Sequence, residues 1–395
     1  MPHRWIVPVL LTGVLTPAVH AQAPGGGNGV GVEAWTLSDG TRAYGASPAR
    51  PIRVAIWYPA AVSRDSRFAA LSTLAMTDWV SSADATSGYD EPGEARRAFG
   101  RHVREFAEPA PTDAAIRRAF ASRTAAAWAA PPRAGRHPAV LLLSGVTARV
   151  YFHVSLAERL ARAGFVVAQV LSLGPSPGRA ASISRPDVDD AARDAAAALD
   201  WLRTDGRVDG RRLGVAAWSV GGVTALRVLQ LRPGLIGAAV SLDSGAGYAY
   251  GPDLLDSSDV ATGQATRVAW LHLTAGVPNR VPRDESVLRA LGAEIREAPG
   301  LRHADFVTVA PLTGARRDAA DAMEGRVVEF LDRVLGTKEG ALVPAPSPGA
   351  RGGPAGGPYG LRHGTPPAWR ASASRQAVLG SGAPPCRSST MVRVR

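Results

Sequence analysis

Residues 213–222 read LGVAAWSVGG and place a serine between a run of apolar residues and a pair of glycines. The apolar run predicts a buried strand, and the glycines begin an apolar, helix-like stretch that ends near Leu231. A serine at such a strand-to-helix turn adopts a strained conformation that lifts its hydroxyl above the sheet. Its neighbours two positions away must be small; Gly221 meets this requirement, and Ala217 stands where glycine is more usual. We therefore predict that Ser219 is a nucleophile, the alternative being a purely structural serine.

Apolar runs and helical patterns alternate over most of the chain. The run at 139–143 is continuously apolar, as expected of a strand that is buried on both faces of a parallel sheet. Strands are predicted at 30–37, 52–58, 139–143, 165–171, 213–218, 237–242 and 268–273, and helices at 154–163, 187–203, 221–231 and 316–335. Strands that alternate with helices favour an α/β fold with a mostly parallel central sheet flanked by helices.

Residues 63–130 interrupt this alternation. Their apolar residues recur near helical spacing, and prolines punctuate them at Pro92, Pro109 and Pro111. We predict that this segment is a helical insertion that forms a cap. Two roles stay open for the cap, which either only packs against the body or acts as a lid that shapes a substrate pocket.

The first residues are typical of a secretory signal peptide. His3 and Arg4 give a short basic start, and the apolar run at 5–19 is too short to span a bilayer. We expect a signal peptide at 1–21, a domain at 22–336 and a secreted or periplasmic protein without stable membrane insertion. An uncleaved N-terminal anchor is the alternative.

The composition changes after Leu335. Residues 337–395 are rich in Pro, Gly, Ala, Ser and Arg and lack a periodic apolar pattern, so we predict a disordered tail. The tail has eight Lys or Arg residues and one Glu, and therefore carries most of the chain's net charge of +11. Nucleic-acid binding by the body is consequently not expected. Cys386 is the single cysteine, which excludes an intramolecular disulfide and a metal site built on several cysteines.

A serine hydroxyl is a weak nucleophile until a base accepts its proton. In strand–turn–helix sites of this kind the order along the chain is serine, acid, histidine. Three histidines follow Ser219. His272 lies inside an apolar strand and is expected in the core, and His363 lies in the tail. His303 lies in a loop after a predicted strand and is the expected base.

Two aspartates are candidates for the acid that orients His303. Asp243 ends the strand that follows the serine turn, and Asp284 lies in the loop after the next strand. The spacing favours Asp243, whose side chain would emerge beside Ser219 at the carboxyl edge of the sheet, and it leaves Asp284 as the alternative.

An oxyanion needs two backbone N–H donors in a mechanism of this kind. The first predicted donor is Val220, directly after the serine. The second is Val146, in the loop Ser144-Gly145-Val146-Thr147 that follows an apolar strand.

Several segments together make the chain similar to a known superfamily. They are residues 50–59, 137–146, 156–168 and 213–222, the pair Leu242-Asp243, and His303 with Phe306. Over about residues 30–336 the chain resembles the α/β-hydrolase superfamily, in particular the platelet-activating-factor acetylhydrolases and secreted esterases similar to dienelactone hydrolase. The acetylhydrolase branch places its acid after the strand that follows the serine turn, which further favours Asp243. Ala217 and Ser144 depart from the family, which usually has glycine and histidine at these positions.

These observations imply a secreted serine hydrolase of the α/β-hydrolase fold that cleaves carboxylic esters through an acyl-enzyme. Small-molecule or lipid-like esters with short acyl groups are the expected substrates. No metal and no organic cofactor is expected, because a Ser-His-Asp mechanism requires neither. The alternative is a non-catalytic binding protein of the same fold. The sequence leaves the oligomeric state open.

Overall fold

The structure is a computed structural model of the 395-residue chain. It describes residues 28–61, 70–72, 104, 112–145, 150–171, 173–177, 179, 181–255, 268–307, 316–336 and 359–362. All of these belong to the first of two compact units, Met1–His363. The predicted signal peptide at 1–21, most of the predicted insertion and most of the predicted tail lie outside the described residues.

A central sheet organises the described residues. Its strands are β1 (Asn28–Asp39), β2 (Arg50–Ala61), β3 (Ala70–Ser72), β4 (Arg123–Trp128), β5 (His137–Leu143), β6 (Val166–Val170), β7 (Val208–Trp218), β8 (Ala238–Leu242), β9 (Ala269–Ala275), β10 (Glu294–Ala298) and β11 (Tyr359–Arg362). The order across the sheet is β10-β9-β8-β7-β5-β6-β2-β1-β4-β3, and β11 also pairs with β1. The strands from β10 to β6 are parallel to one another, whereas β2 is antiparallel to both β6 and β1.

Helices cover both faces of this sheet. They are α1 (Asp113–Ala121), α2 (Val154–Arg162), α3 (Arg185–Leu202), α4 (Gly221–Leu231), α5 (Ser286–Ala290) and α6 (Arg317–Leu335). Helices α2 and α6 contribute to one hydrophobic core with Val140 and Leu142, and α3 and α4 contribute to a second core with Ala139 and Leu141. Successive side chains of a strand point to opposite faces, so residues 139–143 of β5 must all be apolar to serve both cores.

The predicted central strands and helices are confirmed, with shifted ends. Strand β7 begins at Val208 rather than 213, and Val208 pairs with His137 at the start of β5. Helix α3 begins at Arg185 rather than 187, and its second residue, Pro186, suits a first helical turn because the N–H that proline lacks would have no partner there.

The predicted insertion at 63–130 is not entirely helical. Within its described residues only α1 and a single helical residue, Arg104, keep the helical prediction, whereas β3 and β4 belong to the sheet. The alanines of β4 have high helix propensity, but strand pairing with β1 and hydrogen bonds to α2 override it. The carboxylate of Glu158 on α2 accepts the backbone N–H groups of Ala125 and Ala126 at 2.9 and 3.1 Å.

Four residues of the predicted disordered tail form strand β11. It pairs antiparallel with β1, from Thr36 with Arg362 to Asp39 with Tyr359. Strand β4 pairs with Val30 to Val32 of the same strand, so β4 and β11 bond to successive halves of β1. Composition alone did not predict this pairing, because β1 supplies the hydrogen-bonding partners.

No helix in the described part of the chain is long and apolar enough to cross a bilayer.

Candidate active site

Ser219 lies at the sharp turn between β7 and α4. Its φ of 56° places a non-glycine residue in the left-handed region, which is uncommon and strained. The turn is also crowded, since a Cβ on Gly221 would lie 2.8 Å from the carbonyl oxygen of Ser144. Ala217 is completely buried between β5 and β8, where its single methyl group fits. The predicted strand–turn–helix geometry is therefore present, including the tolerated alanine.

The loop after β8 fixes the backbone of this turn. The Gly245 N–H donates to the Ser219 carbonyl oxygen at 2.7 Å, and the Ser219 N–H donates to that of Leu242 at 3.3 Å. A Cβ on Gly222 would lie 2.4 Å from Ser244 Oγ. The second glycine of the pair is therefore required by this loop, as the first is required by β5.

His303 lies within hydrogen-bond distance of Ser219. It begins a short 3₁₀ helix, His303–Phe306, in the loop after β10. Its Nε2 lies 3.1 Å from Ser219 Oγ, and its Nδ1 lies 2.7 Å from Asp243 Oδ2. The Asp305 carboxylate caps this 3₁₀ helix by accepting the Arg302 N–H at 2.8 Å. The histidine is therefore held between a hydroxyl and a carboxylate.

Asp243 is a buried carboxylate with several donors. It follows β8 with a φ of 40°, and only 1% of its surface is exposed. Its Oδ1 accepts the Ala275 N–H at 2.9 Å, and its Oδ2 accepts the Tyr248 hydroxyl at 2.6 Å as well as the bond from His303. Burial alone would raise the pKa of Asp243, but the bonds and charge from His303, then Tyr248 and Ala275, lower it below its usual value. The group is therefore an anion at neutral pH.

Asp284 occupies a different place from Asp243. Its Oδ1 accepts the Ser286 N–H at 3.0 Å at the start of α5, and its own N–H donates to the Gly247 carbonyl oxygen at 3.0 Å. Of the two carboxylates that the sequence left open, the structure brings Asp243 to His303.

The other histidines after Ser219 lie apart from this arrangement. His272 is buried inside β9, and its Nδ1 lies 2.7 Å from Ser241 Oγ. Burial lowers the pKa of His272 to about 4, which keeps the ring neutral at neutral pH. His363 lies outside the described residues. Among the residues that the structure describes, no group of three or more His, Cys, Asp or Glu side chains could hold a metal ion.

The two predicted oxyanion donors have different outcomes. Val220 directly follows the serine and is the N-cap residue of α4, directly before Gly221. Val146 lies outside the described residues. Ser144 accepts a hydrogen bond from Nε2 of the buried Gln169 at 3.0 Å. A β6 side chain thus fixes the start of the loop that contains Val146.

Three aromatic residues at the site were not predicted from the sequence. Trp218 stacks on His303 with ring centroids 4.9 Å apart, and its Nε1 donates to the His303 carbonyl oxygen at 3.0 Å. Tyr248 bonds to Asp243 and approaches His303 edge-on at 6.3 Å. His153 lies 6.1 Å from Trp218, and burial lowers its pKa to about 3. Trp218 stands next to Ser219 and Tyr248 shortly after Asp243, which were the only signals for these two; no sequence signal indicated His153.

A known structure shares this fold. A ferulic acid esterase from Streptomyces cinnamoneus aligns with a TM-score of 0.52 and 21% identity, over 83% of this chain and 96% of that one. A dienelactone hydrolase-like promiscuous phosphotriesterase from metagenomic libraries aligns with a TM-score of 0.44 and 14% identity, over 77% of this chain and 98% of that one. No protein-family model and no curated protein matches the chain. The chain has the fold of the α/β-hydrolase superfamily, a mostly parallel sheet flanked by helices.

Proposed function

We propose that the protein is a serine hydrolase that cleaves carboxylic esters, with Ser219 as nucleophile, His303 as base and Asp243 as acid. One observation carries the proposal: Ser219 Oγ, both ring nitrogens of His303 and Asp243 Oδ2 form a continuous chain with contacts of 3.1 and 2.7 Å. The chain of contacts starts at a strained serine turn, as nucleophilic serines of this fold do.

The reaction follows from these contacts. Ser219 Oγ attacks the ester carbonyl carbon while His303 Nε2 accepts the hydroxyl proton, and a tetrahedral oxyanion forms. When that intermediate collapses, the ester C–O bond breaks and His303 returns the proton to the leaving alcohol. Water then attacks the acyl-enzyme with His303 again as base, and the carboxylic acid and free serine are released. Asp243 keeps the imidazole in the required tautomer and stabilises its protonated form.

The oxyanion requires donors on the side of the serine away from His303. The Val220 N–H is the first proposed donor, and the N-terminal end of α4 adds a favourable dipole because the helix begins directly after Val220. The Val146 N–H is the second proposed donor, and its loop starts at Ser144. Gly145 favours a close approach of this loop, since a Cβ there would lie 3.0 Å from Ser219 Cβ.

The proposed substrates are small-molecule or lipid-like esters with short acyl groups. The sequence resemblance to acetylhydrolases and to esterases similar to dienelactone hydrolase supports this class. The N-terminal signal-peptide pattern supports a secreted or periplasmic location. A panel of p-nitrophenyl esters of increasing acyl length, with methyl ferulate added because a ferulic acid esterase shares the fold, would define the preference.

Labelling with a fluorophosphonate probe tests the proposal directly. We expect one covalent adduct, and peptide mass mapping should place it on Ser219. The Ser219→Ala variant should not be labelled, whereas Ser47→Ala, which removes an exposed serine far along the chain, should be labelled like the wild type. A folded wild-type protein that forms no adduct would instead support the alternative, a non-catalytic binding protein of this fold.

A further inference from the structure

Asp243 bonds to a second side chain that the proposed mechanism does not use. The Tyr248 hydroxyl donates to Asp243 Oδ2 at 2.6 Å, and this is the same oxygen that lies 2.7 Å from His303 Nδ1. Tyr248 is only 2% exposed and Asp243 only 1%. Two donors therefore share one carboxylate oxygen in a place that bulk water hardly reaches.

The fold brings Tyr248 to this oxygen by a tight turn. After Asp243 the chain forms a 3₁₀ helix, Gly245–Gly247, which returns Tyr248 to the carboxylate. The turn leaves no room for larger residues, because a Cβ on Gly247 would lie 2.9 Å from His272 Nε2 and one on Gly245 would lie 3.0 Å from the Tyr250 hydroxyl oxygen. The packing of the turn therefore favours glycine at both positions.

We propose that Tyr248 is a positioning residue. Its hydroxyl fixes the Asp243 carboxylate and competes with His303 for the negative charge of that carboxylate, and so sets the pH at which Ser219 becomes reactive. This inference rests on the proposed function. It assigns to Tyr248 no contact with substrate; the residue acts through Asp243.

The direction of the effect follows from the shared oxygen. A hydrogen bond from a neutral donor withdraws negative charge from the carboxylate and leaves less to stabilise a protonated imidazole. Burial, and then the bond to Asp243 and its charge, raise the pKa of Tyr248, so the phenol remains a neutral donor. Without this hydroxyl, Asp243 would favour protonated His303 more strongly. A higher pH would then be needed to produce the free base.

Two histidines and a second tyrosine near this contact stay neutral over the pH range of the proposed effect. Burial lowers the pKa of His272 to about 4 and that of His153 to about 3, so both rings stay neutral. Burial also raises the pKa of Tyr250, which lies beside Tyr248. The remaining charged groups are Arg283, which donates to the Ala275 carbonyl oxygen, Asp284 at the start of α5, and Arg302, Asp305 and Arg316 on the side of the His303 loop.

The test compares the pH dependence of fluorophosphonate labelling in wild type, Tyr248→Phe and Tyr250→Phe. Phenylalanine keeps the ring of Tyr248 and removes only the hydroxyl that bonds to Asp243. We expect the midpoint of the labelling rate to rise by about 0.5–1 pH unit in Tyr248→Phe. Tyr250→Phe is the matched control: its ring stacks on Tyr248 at 6.0 Å, but its hydroxyl is not among the donors to Asp243, so the midpoint should not move.

A second variant reverses the effect without removing the bond. Replacing Tyr248 with 3-fluorotyrosine makes the phenol more acidic and a stronger donor, so the midpoint should fall below that of the wild type. NMR titration of the His303 ring in the Ser219→Ala background should show the same two shifts without any catalysis.

The outcomes separate this inference from the proposed function. A wild-type protein that forms no adduct on Ser219 contradicts the proposed function. If the wild type is labelled but Tyr248→Phe and the fluorotyrosine protein share its midpoint, the inference is overturned, and Tyr248 only supports the structure. A lower thermal midpoint or a lower rate plateau, each at an unchanged pH midpoint, would overturn the inference in the same way.

Discussion

Two serine–histidine pairs lie within the described residues, and they differ in position and surroundings. The edge pair is Ser219 with His303, beyond the carboxyl ends of the strands, at 3.1 Å. The core pair is Ser241 with His272, inside β8 and β9, at 2.7 Å. The core pair is the shorter contact, yet both its side chains are buried and its third partner is Trp270, which donates to Ser241 Oγ at 3.0 Å. Hydrogen-bond distance alone therefore does not distinguish the proposed nucleophile from a serine of the core.

Three features separate the two pairs. The edge serine has a strained φ of 56° and is partly exposed, the edge histidine has a carboxylate partner, and the strand ends bring these groups together. Trp270 is a donor only, so the Ser241 hydroxyl accepts its hydrogen bond, and the same hydroxyl oxygen lies 2.7 Å from His272 Nδ1. The core serine is also completely buried, so a substrate cannot reach its hydroxyl.

Removing each serine should have the largest contrasting effects. Ser219→Ala should lower the acyl-transfer rate by about 10⁵–10⁶-fold, because the nucleophile is lost. Ser241→Ala should keep its activity per folded molecule but lose roughly 1–3 kcal/mol of unfolding free energy, because His272 and Trp270 lose a buried partner. Burst kinetics with a p-nitrophenyl ester, together with urea unfolding, measure both. The contrast breaks down if Ser219→Ala keeps more than a few per cent of the rate.

The carboxylate should give the next largest effect. Asp243→Asn keeps the shape but replaces an acceptor by a group that can donate, so His303 loses its anionic partner and turnover should fall by up to about 10⁴-fold. Asp284→Asn is the control, since that carboxylate bonds to Ser286 at the start of α5, and it should cost little. Single-turnover acylation and circular dichroism would compare the two. The reverse order of effects would make Asp284 the acid.

The tryptophan partners offer a smaller, matched test. Trp218→Phe keeps a ring against His303 but loses the hydrogen bond from the indole N–H to the His303 carbonyl oxygen. The acylation rate should therefore fall about three- to tenfold. Trp270→Phe removes the corresponding N–H from the core pair and should leave the acylation rate unchanged. The acylation rates should be normalised to the active-site titre. If Trp218→Phe then has the wild-type rate, both N–H bonds act only through stability, and the distinction between the pairs is removed.

The core pair should affect stability with pH but not the rate. Burial lowers the pKa of His272 from 6.5 to about 4, so the unfolded chain binds a proton between these values that the folded chain does not. Stability from this group is therefore present above pH 6.5 and is lost as pH falls toward 4. Between pH 6.5 and 5 the wild type should lose about 2 kcal/mol more than His272→Asn. Urea unfolding at both pH values measures this; equal losses would show that His272 is not held neutral by the fold.

Local patterns were sufficient to predict the central sheet and the edge pair. Apolar runs identified β5 to β9, the LGVAAWSVGG stretch identified the serine turn, and strand ends indicated where His303 and Asp243 would meet. Long-range contacts were not readable in the same way. The strand conformation of β4 depends on β1 and on the Glu158 carboxylate, and the place of Tyr248 depends on a turn that packs against His272. Each needs a partner that is far away in the chain or whose position only the fold defines.

The left-handed conformations of Ser219 and Asp243 have a consequence for how the protein would change under selection. The two residues follow the ends of adjacent strands, where Trp218 pairs with Leu242, so two strained positions lie side by side. Such conformations cost of order 1–3 kcal/mol each for side chains other than glycine. Glycine in place of Ser219 would relieve that cost and abolish the proposed chemistry, so that inactive chain would be the more stable one. Glycine in place of Asp243 would instead leave the Ala275 N–H and the Tyr248 hydroxyl without their acceptor. Selection for stability alone would therefore remove the site, and its persistence would require selection for activity.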